Sequence, residues 1–141
     1  RTRQNMIKPA KIQIRYSDID LMGHVNNAVY LNYFEYTRVY YFDQLLGKKW
    51  DWEHQGFILV QNNVEYITPL LLKDNPVIEM SIGKVGNKSF VLHYELRLNE
   101  QIYTRASSKM VGYNMIEQKS IVIPEKMKQS FSLLMKHQTG S

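Results

Sequence analysis

The rhythm of polar and apolar positions changes several times along the chain, and each change marks an element. After a polar lead-in, RTRQNMIKPA (1–10), the run KIQIRY (11–16) alternates with the period of a half-buried strand. A polar knot follows, SDIDLMGHVNN (17–27). From 28 to 46 there is no Gly or Pro, and the period becomes helical. At about 100° per residue, Tyr30, Tyr33, Phe34, Thr37, Tyr41 and Leu45 share one broad face, with Glu35, Val39 and Asp43 roughly opposite. Leu31, Phe42 and Leu46 widen the apolar area, so this helix must be covered on most sides. Gly47 is placed to end it, and KKWDWEHQG reads as a loop. Beyond Gly56 the alternating runs FILVQNNVEYI, PVIEMSIGKV, SFVLHYELRL and IYTRASSKMVGYN predict four strands. Turn signals at 86–88 and 99–101 predict antiparallel hairpins between them. After Ile123, PEKMKQSFSLLMKH predicts a short helix over about 124–136, with Pro124 in its first turn.

The order strand, long helix, four-stranded meander, small helix gives an α+β domain in which one antiparallel sheet curls round the helix. No internal repeat or linker divides it, so 1–141 reads as a single domain with its core at about 11–120. A sheet of this kind has edges to protect, and pairing with a second copy does so; at least a dimer is expected.

Composition changes this picture little. The 141 residues are 44% hydrophobic and 22% charged, as in an ordinary globular domain. No apolar run is long enough to span a bilayer, and no secretion leader opens the chain. The absence of cysteine excludes disulfides, thiolate metal sites and a cysteine nucleophile, and fits the cytoplasm. The net charge of +5 is scattered rather than massed. It suits mild steering of a phosphate-bearing ligand, or simply a solvated surface. Spread charge and the absence of a stacking platform speak against nucleic acid.

The knot before the helix carries the candidate chemistry. Asn26 or Asn27 can cap the helix, leaving other N–H groups at a positive helix end suited to an oxyanion. Gly23 permits a tight turn. In an extended segment Asp18 and Asp20 point the same way, but only Asp20 lies close to Gly23 and the helix start. A carboxylate there serves either as general base for a water or as nucleophile on the carbonyl. The plain alternative is that the whole segment is capping and turn chemistry. Glu35 and Arg38, three apart, read as a surface pair; a buried Glu35 assisting the site is the sharper alternative. His24, His54, His93 and His137 show no metal-ligand spacing, so no metal is expected. There is no serine elbow, phosphate-binding loop or dinucleotide fingerprint.

RYSDIDLMGHVNNAVYLNYFEYTR (15–38) resembles, without a gap, the signature of the 4-hydroxybenzoyl-CoA thioesterase-like hotdog proteins. The matching residues are Tyr16, Asp18, Asp20, Gly23, His24, Val25, Asn26, Asn27, Tyr30, Glu35 and Arg38. VEYITPLLLKD and VGNKSFVLHYEL resemble later strands of that family, and together these stretches cover most of 11–120. The resemblance implies a hotdog fold: a long central helix wrapped by a five-stranded antiparallel sheet, forming dimers or tetramers with active sites between subunits. It implies hydrolysis of an acyl-CoA thioester, or of an acyl-carrier-protein thioester, without cofactor. A non-catalytic acyl-CoA binder is the remaining alternative. Carried over, Asp20 is the catalytic carboxylate, the N–H near Asn27 with the helix start polarises the carbonyl, and Gly23 and His24 are expected with them among the catalytic-site residues. Tyr30 and, from the second subunit, Val60, Gln61 and Asn62 are implied to line the substrate site, with Lys84, Lys88 and Ser89 toward the phosphates of coenzyme A. Trp50, Trp52 and Phe57 are candidate walls for the acyl group.

Overall fold

The structure is a computed structural model and describes residues 7–136. Positions 1–6 of the lead-in, and His137, lie outside the described residues. The elements are β1 (Ala10–Lys11), α1 (Tyr30–Leu46), β2 (Gly56–Tyr66), β3 (Val77–Val85), β4 (Ser89–Leu98), β5 (Gln101–Asn114), β6 (Lys119–Ser120) and α2 (Glu125–Ser130). Short 3₁₀ turns occupy Tyr16–Asp18, Asn27–Val29 and Phe131–Leu134. This is the hotdog fold: α1 packed on an antiparallel sheet in the order β1-β3-β4-β5-β2. β6 pairs with the end of β5.

Three expectations need correction. KIQIRY is not a strand throughout: only Ala10–Lys11 pairs, with β3. Ile12 and Ile14 are buried as the alternation demands. However, β3 begins at Val77, so beyond one bond from the Ile12 N–H to the Pro76 carbonyl (3.0 Å) there is no partner for a ladder. The meander is three strands, β3-β4-β5, because β2 crosses over to pair with the far side of β5. The C-terminal helix, expected over about 124–136, is α-helical for only six residues, Glu125–Ser130, then tightens into the 3₁₀ turn Phe131–Leu134 that buries Phe131 and Leu134.

The residues of α1 are poor helix formers: Tyr, Phe, Thr and Val each cost about 0.5 kcal/mol against Ala. Packing overrides propensity, because burying such a side chain is worth about 1.5–3 kcal/mol. Tyr30, Tyr33, Phe34, Thr37, Tyr41, Phe42 and Leu46 are all buried. They face Ile78, Met80, Leu92, Tyr94, Leu96 and Met110 of the sheet, which are also buried. Phe34 stacks on Tyr94 with ring centres 4.7 Å apart. Buried Thr37 satisfies its hydroxyl by donating to the Tyr33 carbonyl (2.8 Å). No helix among the described residues is long and apolar enough to cross a membrane.

Two features of β2 position the site. It is an edge strand, with Ile58, Leu59, Val60 and Tyr66 exposed. Its register against β5 shifts between Leu59 and Gln61, so Leu59 pairs with Met110 and Asn62 with Ser108. This bulge at Val60 restores parity. Phe57, Leu59, Asn62, Val64 and Tyr66 therefore all point to the side on which β5 carries Met110, Ser108 and Thr104, the side covered by α1.

Candidate active site

The knot folds as a cap and a turn at once. Asn26 is the cap: its Oδ1 accepts from the Ala28 N–H (2.9 Å), and its carbonyl accepts from Val29 (2.9 Å). The Asn27 N–H, one step earlier, is in neither bond. Asp20 closes the preceding turn, its Oδ1 accepting from Met22 (2.9 Å) and His24 (3.3 Å). These bonds fix the carboxylate through one oxygen and leave Oδ2 outside them. Gly23 has φ +82°, and nothing lies within 4 Å of where a Cβ would sit. Glycine is needed there for backbone conformation, not for space. The loop is tied to the sheet side by the Val25 N–H, which donates to the Leu70 carbonyl (2.9 Å).

A cleft of about 350 Å³ results, lined among others by Asp20, His24, Asn27, Tyr30, Tyr66 and Thr68. Tyr30 packs edge-on against Tyr66, with ring centres 5.0 Å apart, and the Tyr66 hydroxyl donates to the Asn27 carbonyl (2.8 Å). Burial pushes both tyrosine hydroxyls up from their ordinary titration range. The Tyr66 hydroxyl stays protonated and ties the Asn27–Ala28 peptide at the helix start to the end of β2. Tyr66 was missed as a site residue by sequence reasoning. The legible signal is its place at the end of β2, three residues before Pro69, where the chain turns back toward the knot.

Asp18 is elsewhere. The Tyr16–Asp18 turn breaks strand geometry, so the two aspartates do not point the same way. Asp18 Oδ2 accepts from the Tyr33 hydroxyl (2.6 Å) and the Arg15 N–H (2.9 Å), on the wall of a separate cleft with Lys11, Asn32 and Tyr36. The second carboxylate of the D-x-D is spent on structure. Glu35 and Arg38 do not pair either. Glu35 is exposed, and Arg38 Nη1 donates to the buried Tyr94 hydroxyl (2.9 Å).

The remaining sequence candidates are not brought to this cleft within one chain. Val60 and Gln61 are exposed on the β2 edge, and Asn62 Oδ1 accepts from Ser108 Oγ (2.6 Å). Lys84, Lys88 and Ser89 sit at the β3–β4 hairpin, beside Val111 and Gly112 of β5. The cleft lies beside Tyr66, at the opposite end of β2; at about 3.3 Å per residue the two are roughly 30 Å apart. Trp52 and Phe57 pack with Phe42 at that far end. Trp50 bonds the loop to itself, its Nε1 donating to the Gln55 carbonyl (2.8 Å). Among the described residues, no three His, Asp or Glu side chains gather as a metal site.

Residues 14–131 match the thioesterase-like superfamily. The chain belongs to that superfamily. Relatives of the chain are named as thioesterases, which supports thioester hydrolysis as its activity class. It is 25% identical over 129 residues to the long-chain acyl-CoA thioesterase FadM of Escherichia coli, an alignment spanning 89% of this chain and 98% of FadM. It is 27% identical over 84 residues to the uncharacterised protein YsmA of Bacillus subtilis, covering 60% of this chain but only 56% of YsmA. A Thermus thermophilus thioesterase solved with coenzyme A and zinc superposes with a TM-score of 0.78 at 27% identity, over 89% of this chain and 91% of that one.

Proposed function

We propose that this superfamily member hydrolyses acyl-CoA thioesters, with Asp20 as the catalytic carboxylate and the helix start at Asn27 as the oxyanion site. The observation that carries the reading is that one cleft is lined by both Asp20 and Asn27. A thioester carbonyl lying between them meets N–H groups on its oxygen and a carboxylate on its carbon side. Asp20 takes a proton from an attacking water, or adds to the carbonyl itself. In either case the tetrahedral oxyanion is held at the helix end and the C–S bond breaks: on the base route the proton taken by Asp20 passes to the leaving thiolate, and on the nucleophilic route a mixed anhydride with Asp20 remains, which water hydrolyses to the free acid, its proton passing to the thiolate. The named activity of FadM and the coenzyme A bound in the Thermus relative support CoA as the carrier.

The same reading makes the protein a homodimer. Two β2 edges paired about a two-fold axis run antiparallel, so one protomer's Gly56 end meets its partner's Tyr66 end. That arrangement brings the partner's β3–β4 hairpin, with Lys84, Lys88 and Ser89, toward each Asp20 cleft, and sets Val60, Gln61 and Asn62 at the seam.

The test is thiol release from a panel of acyl-CoAs. Asp20→Asn preserves shape and the Oδ1 bonds; turnover is expected to fall about a hundredfold or more, with the melting temperature little changed. A variant that keeps near-full activity removes Asp20 from the reaction.

A further inference from the structure

Two turns of the chain hold apolar side chains out in water. The first follows Asp20, where Leu21 and Met22 are 105% and 78% exposed. The bonds from the Met22 and His24 N–H groups to Asp20 Oδ1, and Gly23 at φ +82°, fix this turn, so its side chains do not fold inward. Met22 and Ile67 both line the Asp20 cleft. The second is the turn between β5 and β6, where Met115 and Ile116 are 60% and 57% exposed. It is fixed as firmly. Asn114 Oδ1 accepts from the Ile116 and Glu117 N–H groups (both 2.9 Å), and the Met115 N–H donates to the Glu53 carbonyl (2.7 Å). Turn tips ordinarily carry Gly, Asn, Asp or Ser. A rigid tip that ends in Met and Ile gains free energy when an apolar surface covers it.

The two turns stand at opposite ends of β2, roughly 30 Å apart, so one chain cannot join them. A two-fold axis through β2 does. Residues directly opposed across paired strands share a face. On β2 the alternation breaks once, at the Val60 bulge. Two copies of β2 paired over its whole length therefore match face to face with the axis at Gln61 or at Asn62. The first axis sets the partner's Glu53 opposite Thr68, and the second sets it opposite Leu70. Thr68 lines the Asp20 cleft, and the Leu70 carbonyl holds the knot through the Val25 N–H (2.9 Å). The partner's Met115 is bonded to that Glu53, so its turn arrives at the rim formed by Met22 and Ile67. Charge favours a second copy over a lipid surface as the cover. Glu117 and Lys119 of the turn pair with each other (3.1 Å), which leaves no net charge there to draw the tip to anionic lipid.

We propose that the Met115–Ile116 turn of each protomer packs on Met22 and Ile67 of its partner, closing the rim of the partner's Asp20 cleft and holding the loop that carries Asp20. The inference rests on the two-fold pairing and the acyl-CoA reading above, and adds the residues through which the second copy completes the site. Met115 and Ile116 are positioning residues: they act on the Asp20 loop and not on the reacting atoms.

The chain has no cysteine, so an introduced disulfide reports the contact directly. Met22→Cys combined with Ile116→Cys is expected to give a covalent dimer on a non-reducing gel after mild oxidation, and either substitution alone to give none. A disulfide needs Cα atoms within about 7 Å, so the two positions of one chain cannot join. A double variant that cross-links no better than the single ones overturns the proposal, as does a wild type that sediments as a monomer. Turnover of dodecanoyl-CoA tests the effect on the site. Met115→Ser with Ile116→Ser is expected to lower kcat about tenfold through a misplaced Asp20 loop, with the dimer retained. Unchanged turnover overturns the proposal. Co-expression of that variant with Asp20→Asn in equal amounts makes half of the dimers mixed, each with one complete site, and is expected to restore about a quarter of wild-type turnover. Turnover no higher than the mean of the two parents overturns the proposal. A wild type that hydrolyses no acyl-CoA defeats the thioesterase reading instead, and the cross-link then decides the contact alone.

Discussion

At the residue scale, the two aspartates of the D-x-D divide one motif between two tasks. Asp20 spends one oxygen on turn N–H groups and lines the cleft. Asp18 spends Oδ2 on Tyr33 and Arg15 and faces elsewhere. Their neutral amides should therefore separate stability from turnover. Asp18→Asn weakens a charge-assisted bond to a tyrosine, worth about 1–3 kcal/mol. It is expected to lower the midpoint of urea unfolding while keeping kcat within a few-fold of wild type. Asp20→Asn is expected to do the reverse. Equal losses of kcat in both would mean that the two carboxylates act together. The motif was legible as residues; the division was not, because it depends on the chain leaving strand geometry at Tyr16, which alternation does not announce. Arg38 was misread for a related reason. Spacing pairs it with Glu35, but the buried Tyr94 hydroxyl offers a partner shielded from water, where a hydrogen bond is worth more than an exposed ion pair.

At the element scale, α1 is legible almost to its ends, because its aromatic face repeats over four turns without Gly or Pro. Sequence did not reveal how much protonation this face depends on. Tyr30, Tyr33 and Tyr41 of α1, with Tyr66 and Tyr94 of the sheet, all titrate above the ordinary value of 10.0, chiefly through burial. Tyr41 is pushed up to about 12, and Tyr33 is raised further by the adjacent Asp18. The folded state then holds protons that the unfolded chain gives up near pH 10, so stability is complete below that pH and falls as pH rises through and above it. Thermal melts are expected to be flat on this account to about pH 9, then to drop steeply, with tyrosinate absorbance appearing together with unfolding. Tyr33→Phe is expected to shallow the alkaline drop. Tyrosinate growing in well before the melt would contradict the assignment. β2 shows the opposite balance. Its existence was legible, but its partner was not, since short turns suggested a meander while the ten-residue connection from Tyr66 to β3 lets it cross to β5.

At the scale of the whole molecule, the free edge of β2 is the feature that the single chain leaves unresolved physically. Eleven residues of edge strand, with Ile58, Leu59 and Val60 at 39%, 41% and 51% exposure, carry no Pro and no Lys, and their guards are one bulge at Val60 and the single charge of Glu65. Water does not reward such an edge, and a second copy does, because two-fold pairing satisfies both backbones and buries both apolar rows at once. The fold was legible from the chain's own periodicity, but half of the proposed site was not assembled by it. Lys84, Lys88 and Ser89 stand roughly 30 Å from the Asp20 cleft along β2, and the proposed two-fold pairing would bring the partner's copies to it across this edge. Lysine at two edge positions, Ile58→Lys with Val60→Lys, sets like charges opposite each other at the seam and is expected to give a monomer by analytical ultracentrifugation at micromolar concentration. Such a monomer is expected to keep its far-ultraviolet circular dichroism, since neither residue is in the core, yet to lose most acyl-CoA turnover through a higher KM. Wild type sedimenting as a monomer with full activity would dismiss the shared site and require coenzyme A to be held by residues of one chain near Tyr66.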